Sequence, residues 1–184
     1  MNDIHWIPLV IVLLAAVIAA VTDVWKFRVY NALTIPLFLS GLLFHLVNSG
    51  WSGLGGSLAG AAFGFFVLIF PYALGLMGAG DVKLLAGVGA WMGLIATAQI
   101  FAVSSLVAGV YAIALILIRG ELADSWRTTK SILLTFAMLG SKSGKEDLVS
   151  SLAVDKQRRL RVIPFGAMVP FGVVGAGCWI HFLR

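Results

Sequence analysis

Charge is scarce in this sequence. Only 11% of its 184 residues are Asp, Glu, Lys or Arg, against roughly 25% in an ordinary soluble domain. Cysteine is scarcer still: Cys178 stands alone, which excludes an internal disulfide and any cysteine-based zinc site. The three histidines, His5, His45 and His181, are scattered and no HExxH occurs, so a zinc-peptidase motif is absent. No metal site and no cofactor are expected. The basic residues give a net charge of +5, but they form no stripe interleaved with stacking aromatics, so nucleic acid is not an expected partner.

What is plentiful is apolar surface. Apolar residues make up 60% of the chain and mean hydropathy is +1.01. A bilayer crossing takes about 20 apolar residues, fewer where a helix is buried among others. The pattern predicts six spans, at Ile4–Val24, Ala32–Val47, Leu54–Leu76, Val82–Ala96, Ala98–Ile118 and Ile163–Phe182. The expected fold is an all-α polytopic membrane bundle forming one domain over residues 1–184. The first apolar run has Asn2, Asp3 and His5 where a signal peptide would have a basic region, so it reads as a retained helix. Gly-rich Ser49–Gly56 reads as a tight connector, and Ser131–Leu139 as an amphipathic helix lying on the membrane surface.

The cations orient the bundle. Lys26 and Arg28 fall in the first connector, Lys83 in the third, and nine Lys and Arg in the fifth, Arg119–Arg161. The second and fourth carry none. By the positive-inside rule the odd connectors face the cytoplasm and both termini face outward. Trp6, Trp25, Trp51, Trp91 and Trp179 lie near span ends, where an interfacial belt would place them.

Acids are rarer than cations. Asp3 lies in the N-terminal tail, and Glu121, Asp124, Glu146, Asp147 and Asp155 lie in the long basic connector. Only Asp23 and Asp81 border apolar spans, where a carboxylate costs on the order of 2.5–3.5 kcal/mol and is a functional candidate. The topology puts both at the cytoplasmic face, far apart in sequence yet at similar depth. Two close carboxylates share one proton, so one can act as a base on water while the other protonates a carbonyl. Gly78 and Gly80, before Asp81, allow positive φ and close approach of a substrate strand. Each acid also has a plain structural reading: Asp81 as a helix N-cap, Asp23 as an ion-pair partner of Lys26.

Thr22-Asp23-Val24, with Asn31 eight residues after the aspartate, and Gly78-Ala79-Gly80-Asp81-Val82-Lys83-Leu84-Leu85 resemble the two aspartate motifs of the type IV prepilin peptidases. The second is that family's GxGD signature with its lysine. Trp91-Met92-Gly93 and Ile163-Pro164-Phe165-Gly166 also match. The resemblance implies a bacterial inner-membrane aspartic endopeptidase that removes the basic leader of prepilins or pseudopilins at the cytoplasmic face. Asp23 and Asp81 would be its catalytic pair, Gly78 and Gly80 would shape the backbone, and Lys83 and Asn31 would support the acids. Larger members carry an N-terminal segment with two CxxC pairs and also N-methylate the product. Lacking that segment, this sequence resembles the compact branch of tight-adherence (Flp) pilus systems, and the resemblance leaves open whether it methylates the product.

Three rival readings remain. Gly50-Trp51-Ser52-Gly53 with His181 would make a rhomboid-like serine peptidase, although Ser in a Gly-rich turn is ordinary. A proton-coupled carrier also uses intramembrane carboxylates, but places them near the midplane, often within repeats. The third is a non-catalytic pilus-assembly component.

Overall fold

The computed structural model describes residues 6–26, 29–73, 77–119 and 165–182, and the described residues are almost entirely helical. The helices are α1 (Trp6–Lys26), α2 (Asn31–Ala73), α3 (Ala79–Arg119) and α4 (Phe165–Phe182). The first three are long and apolar enough to cross a membrane. Residues 1–108 and 163–184 form one compact unit, and residues 109–162 form a second. In the second unit the described residues are the helical stretch 109–119. The long basic connector and the expected surface helix at Ser131–Leu139 lie outside the described residues.

A straight helix of 43 residues would be about 65 Å long, twice the hydrocarbon core. Neither long helix is straight. Gly50 (φ 63°) interrupts α2 and Gly93 (φ 74°) interrupts α3, both in the left-handed region where a Cβ is strained. Both breaks reverse the chain. A Cβ on Gly53 would touch the His45 carbonyl, whereas eight residues of straight helix would separate them by about 12 Å. In α3, Phe101 stacks edge-on with Phe63 at 6.4 Å, while the neighbouring Gly64 packs on Leu85. Residues 85 and 101 are therefore level with each other on either side of Gly93.

The described chain is thus six rods: α1, the arms 31–49 and 51–73 of α2, the arms 79–92 and 94–119 of α3, and α4. Each rod falls on one of the six stretches expected from hydropathy. The turns are tighter than expected. In place of a connector over Ser49–Gly56, a single residue turns the chain, and residues 51–56 are already helical. The α3 turn lies at Gly93 instead of Thr97, because a positive-φ glycine can reverse the backbone without a loop.

The first arm of α3 is the centre of the unit: residues 84–91 are all buried. Glycines let it sit there. Gly60 and Gly89 face each other with no room for a Cβ on either, and Gly64 lies as close against Leu85. Gly60 and Gly64 form the small-xxx-small spacing that lets membrane helices approach backbone to backbone. Large apolar residues such as Leu39, Leu43, Val47, Phe66 and Leu106 cover the outside, as expected of a lipid-facing surface.

The break at Gly93 takes carbonyls out of the helical ladder, and in hydrocarbon each needs a donor. Side chains from both arms of α2 supply them: His45 Nε2 pairs with the Trp91 carbonyl at 2.9 Å, and Ser57 Oγ donates to that of Ala90 at 2.5 Å. Thr97 Oγ1 donates to the Gly93 carbonyl at 2.6 Å. Trp91 itself is only 4% exposed, with its indole N–H donating to the Leu37 carbonyl at 2.8 Å. It is therefore a core residue and not part of an interfacial belt. Trp6, Trp25 and Trp51 are exposed at rod ends, as expected.

A leucine at Gly60 should break the central contact at a cost of at least about 1–3 kcal/mol, the range for overpacking. Alanine at Gly55, which has open space around it, should be silent. Thermal unfolding of the two variants in detergent checks this.

Candidate active site

Asp23 lies in the last turn of α1 and Asp81 in the first turn of α3. Both are at one end of the bundle and nearly sealed, at 6% and 5% exposure. They converge on one point, the Cα of Gly166 at the start of α4. A Cβ placed there would lie 3.0 Å from Asp23 Oδ2 and 3.2 Å from Asp81 Oδ1. Those same two oxygens are buried with no hydrogen-bond partner among the described residues. The backbone amides of Gly166 and Ala167 lie near the carboxylates without making a hydrogen bond to these two oxygens. The positive end of α4 therefore faces the pair.

The α3 start is built so that Asp81 reaches inward. The helix begins at Ala79, so Asp81 is its third residue and not its N-cap. Its Oδ2 accepts the Gly78 N–H at 3.3 Å, while its own amide donates to the Gly78 carbonyl at 3.2 Å. This is the acid's half of a capping box, with glycine at the cap. One oxygen is held by its own helix, which leaves Oδ1 for the pair.

The glycines before Asp81 act differently from the sequence expectation. Among the described residues positive φ occurs only at Gly50 and Gly93, so neither Gly78 nor Gly80 is needed for a left-handed turn. Gly80 is needed for contact: a Cβ would lie 2.8 Å from Val29 Cβ and 3.1 Å from the Val29 carbonyl. Val29, just before α2, thus seats directly on the first turn of α3. A Cβ on Gly78 would make only an ordinary 3.6 Å contact with Asp81 Oδ2.

Lys83 and Asn31 are joined. Lys83 Nζ donates to Asn31 Oδ1 at 2.9 Å across 52 positions of sequence. Two residues along a helix turn it by about 200°, so Lys83 points away from the Asp81 face and ties the start of α2 to that of α3. Ser52, the serine of the rhomboid-like reading, donates to the Ser49 carbonyl at 2.9 Å within its own turn. His181 lies outside the residues with described side chains.

Gly166 belongs to a motif that the sequence matched, but it was given no role there. Its signal was present as Pro164-Phe165-Gly166 ahead of the last apolar run, a proline and a small residue opening a helix.

The model of the type IV leader peptidase family matches residues 10–113, which include both aspartates. The chain belongs to this family. It is 41% identical over 125 residues to a prepilin leader peptidase/N-methyltransferase of Aeromonas salmonicida, covering 63% of this chain and 43% of that protein. The same name, identity and shares hold for a protein of Aeromonas hydrophila. A Neisseria gonorrhoeae protein of that name is 33% identical over the same shares. The chain thus spans less than half the length of these relatives. No solved structure matches it.

If the Lys83–Asn31 bond ties the two helix starts, alanine at both positions should cost less than the sum of the single changes. A double-mutant cycle on detergent stability should give a coupling of up to about 1 kcal/mol, the usual net worth of such a bond.

Proposed function

We propose that this protein is a prepilin leader peptidase that works as an aspartic endopeptidase, with Asp23 and Asp81 as its catalytic pair. One observation carries the reading: two buried carboxylates from distant parts of the sequence turn their unpartnered oxygens to the same point. Family membership supports it, and so does the naming of its relatives as leader peptidases.

The chemistry follows from the pair. With one carboxyl ionised and one protonated, the ionised group takes a proton from a water molecule. That water's oxygen attacks the scissile carbonyl carbon, while the protonated group gives its proton to the carbonyl oxygen. Collapse of the tetrahedral intermediate breaks the C–N bond; the proton taken from water goes to the leaving amine, and the proton on the former carbonyl oxygen returns to the carboxylate that gave it. Each turnover returns the pair to a single shared proton. Gly166 sets how closely the acids approach, because any side chain there would stand between them.

The active site is proposed to face the cytoplasm of a bacterial inner membrane. The support is the charge pattern: Lys26 and Lys83 lie at the aspartate end of the bundle, and Arg28 and the nine cations of Arg119–Arg161 fall in connectors of the same parity. The substrates on this reading are prepilins or pseudopilins, with Flp-type prepilins as candidates.

Co-expression with an Flp-type prepilin tests the reading by gel shift of the pilin. Asn at either Asp23 or Asp81 keeps the shape but cannot exchange the proton, so each should lower cleavage by about 10²–10⁴-fold. Full processing by either variant would refute the aspartic mechanism. Alanine at Gly166 should lower kcat by about 10²-fold by displacing the carboxylates, and valine at Gly80 should impair cleavage by lifting Val29 off α3. Alanine at Gly78 should have little effect.

Orientation has its own check. In a variant whose only cysteine replaces Ser143, an impermeant thiol reagent added to intact cells should give no labelling, whereas cysteine at Ser52 should be labelled. The native Cys178 is exposed and is changed to serine first. Labelling at position 143 would put the aspartates on the wrong side for leader removal.

A further inference from the structure

Gly166 meets both carboxylates, yet it is only the second residue of α4, and helix ends are where a fold opens most easily. A glycine has no side chain with which to hold its own place, so its neighbours must hold it. Further along, α4 lies on the second arm of α3. A Cβ on Gly172 would meet Ser104 and the Ile100 carbonyl, and one on Gly175 would meet Val103. These contacts set the line of the helix. The nearer of them is six residues beyond Gly166, about 9 Å along the axis.

The first turn has an anchor of its own. Phe165 is the first residue of α4 and is only 2% exposed. Its ring lies against that of Phe101 in the second α3 arm, with centroids 6.5 Å apart and planes at 47°. Phe101 in turn meets Phe63 of the second α2 arm edge-on. The three rings form a row across three rods, and the residue at its end adjoins the glycine that touches the acids. Successive helical residues point about 100° apart, so Phe165 packs on α3 while Gly166 faces the pair. A phenyl ring moves no proton. Any influence of this row on the reaction therefore runs through Gly166.

We infer that Phe165 is a positioning residue for the cleavage reaction, docked on Phe101 so that Gly166 stays against both carboxylates. The inference rests on the aspartic-peptidase reading of the pair. Without the ring contact the first turn of α4 shifts, and the acids lose the surface that keeps them from separating. Misplacing reacting groups by about 1 Å costs on the order of 10²-fold in rate. Substrate binding does not depend on the spacing of the acids, so kcat falls and KM stays.

Cleavage of an Flp-type prepilin in detergent, with kcat and KM measured separately, tests this. Phe165→Leu and Phe101→Leu keep an apolar side chain and remove a ring, and each should lower kcat by about 10- to 10²-fold. Phe101 is only partly buried, so leucine there makes the test even where Phe165→Leu does not fold. Because Phe101 acts through Phe165, the double variant should be no slower than the slower single one, whereas independent losses would multiply. Phe101→Tyr keeps the ring and should bring kcat back to within about twofold of wild type. Phe66→Leu breaks a comparable ring contact, that of exposed Phe65 and Phe66 at 5.5 Å, and should leave both constants unchanged. Unchanged kcat in both leucine variants, equal losses with leucine and tyrosine at position 101, or a change in KM alone would overturn the inference. A second readout needs no catalysis. Dicyclohexylcarbodiimide, an apolar reagent that couples to carboxyl groups, is applied without substrate, and the peptides holding Asp23 and Asp81 are read by mass spectrometry. With either ring gone, the pair should be modified about tenfold faster per folded molecule. A rate equal to wild type refutes the inference. If asparagine at either aspartate cleaves fully, the aspartic reading falls, and the labelling still decides whether Phe165 holds α4 over the pair.

Discussion

The structure depends on one close approach, that of the second α2 arm against the first α3 arm, where Gly60 and Gly89 meet backbone to backbone. Between lipid-facing helices there is little hydrophobic drive, so packing distance decides which rods associate. Removing both side chains lets the 79–92 arm sink into the middle of the unit. It is short for a crossing, at 14 residues, and a short rod is tolerated where neighbours cover it. Its burial then fixes the depth of everything it carries, including Asp81 at its start and the bend at Gly93 near its end.

That bend creates a second demand. Backbone carbonyls released inside a bundle have no water to turn to, and His45, Ser57 and Thr97 satisfy them. Three of the polar residues in the apolar spans are thus accounted for by the reversal at Gly93. His45 is an example: a lone histidine in an apolar span, occupied by a main-chain oxygen.

The sequence made the spans and the acid pair readable for a simple reason. Hydropathy runs and rare carboxylates are local features whose cost in lipid is high, so little else explains them. Asp23 and Asp81 stand out among eight acids by position alone, and Asn31 and Lys83 came with the motifs around them. The turns were less readable. Ser49–Gly56 holds four glycines, and composition cannot say that only Gly50 takes positive φ. Trp91 was misplaced because tryptophan near a span end fits both a belt and a core, and only its bond to the Leu37 carbonyl distinguishes them. Gly80 was assigned a positive φ and room for a substrate strand, whereas the close contact it makes is with Val29, a partner that no local pattern identifies.

Gly166 shows the limit most sharply. The family match ends at residue 113 and both acids lie within it, yet the glycine they meet lies beyond it. The surface against which both carboxylates rest comes from α4, which packs on α1 and brings its first amides near the pair. A carboxylate pair held by two helices alone could relax apart to relieve its own repulsion. A third helix resists that, provided its contact residue has no side chain and its exposed end is electrically positive. Glycine at a helix N-terminus meets both conditions. The two acids and the glycine they meet thus come from three helices, α1, α3 and α4.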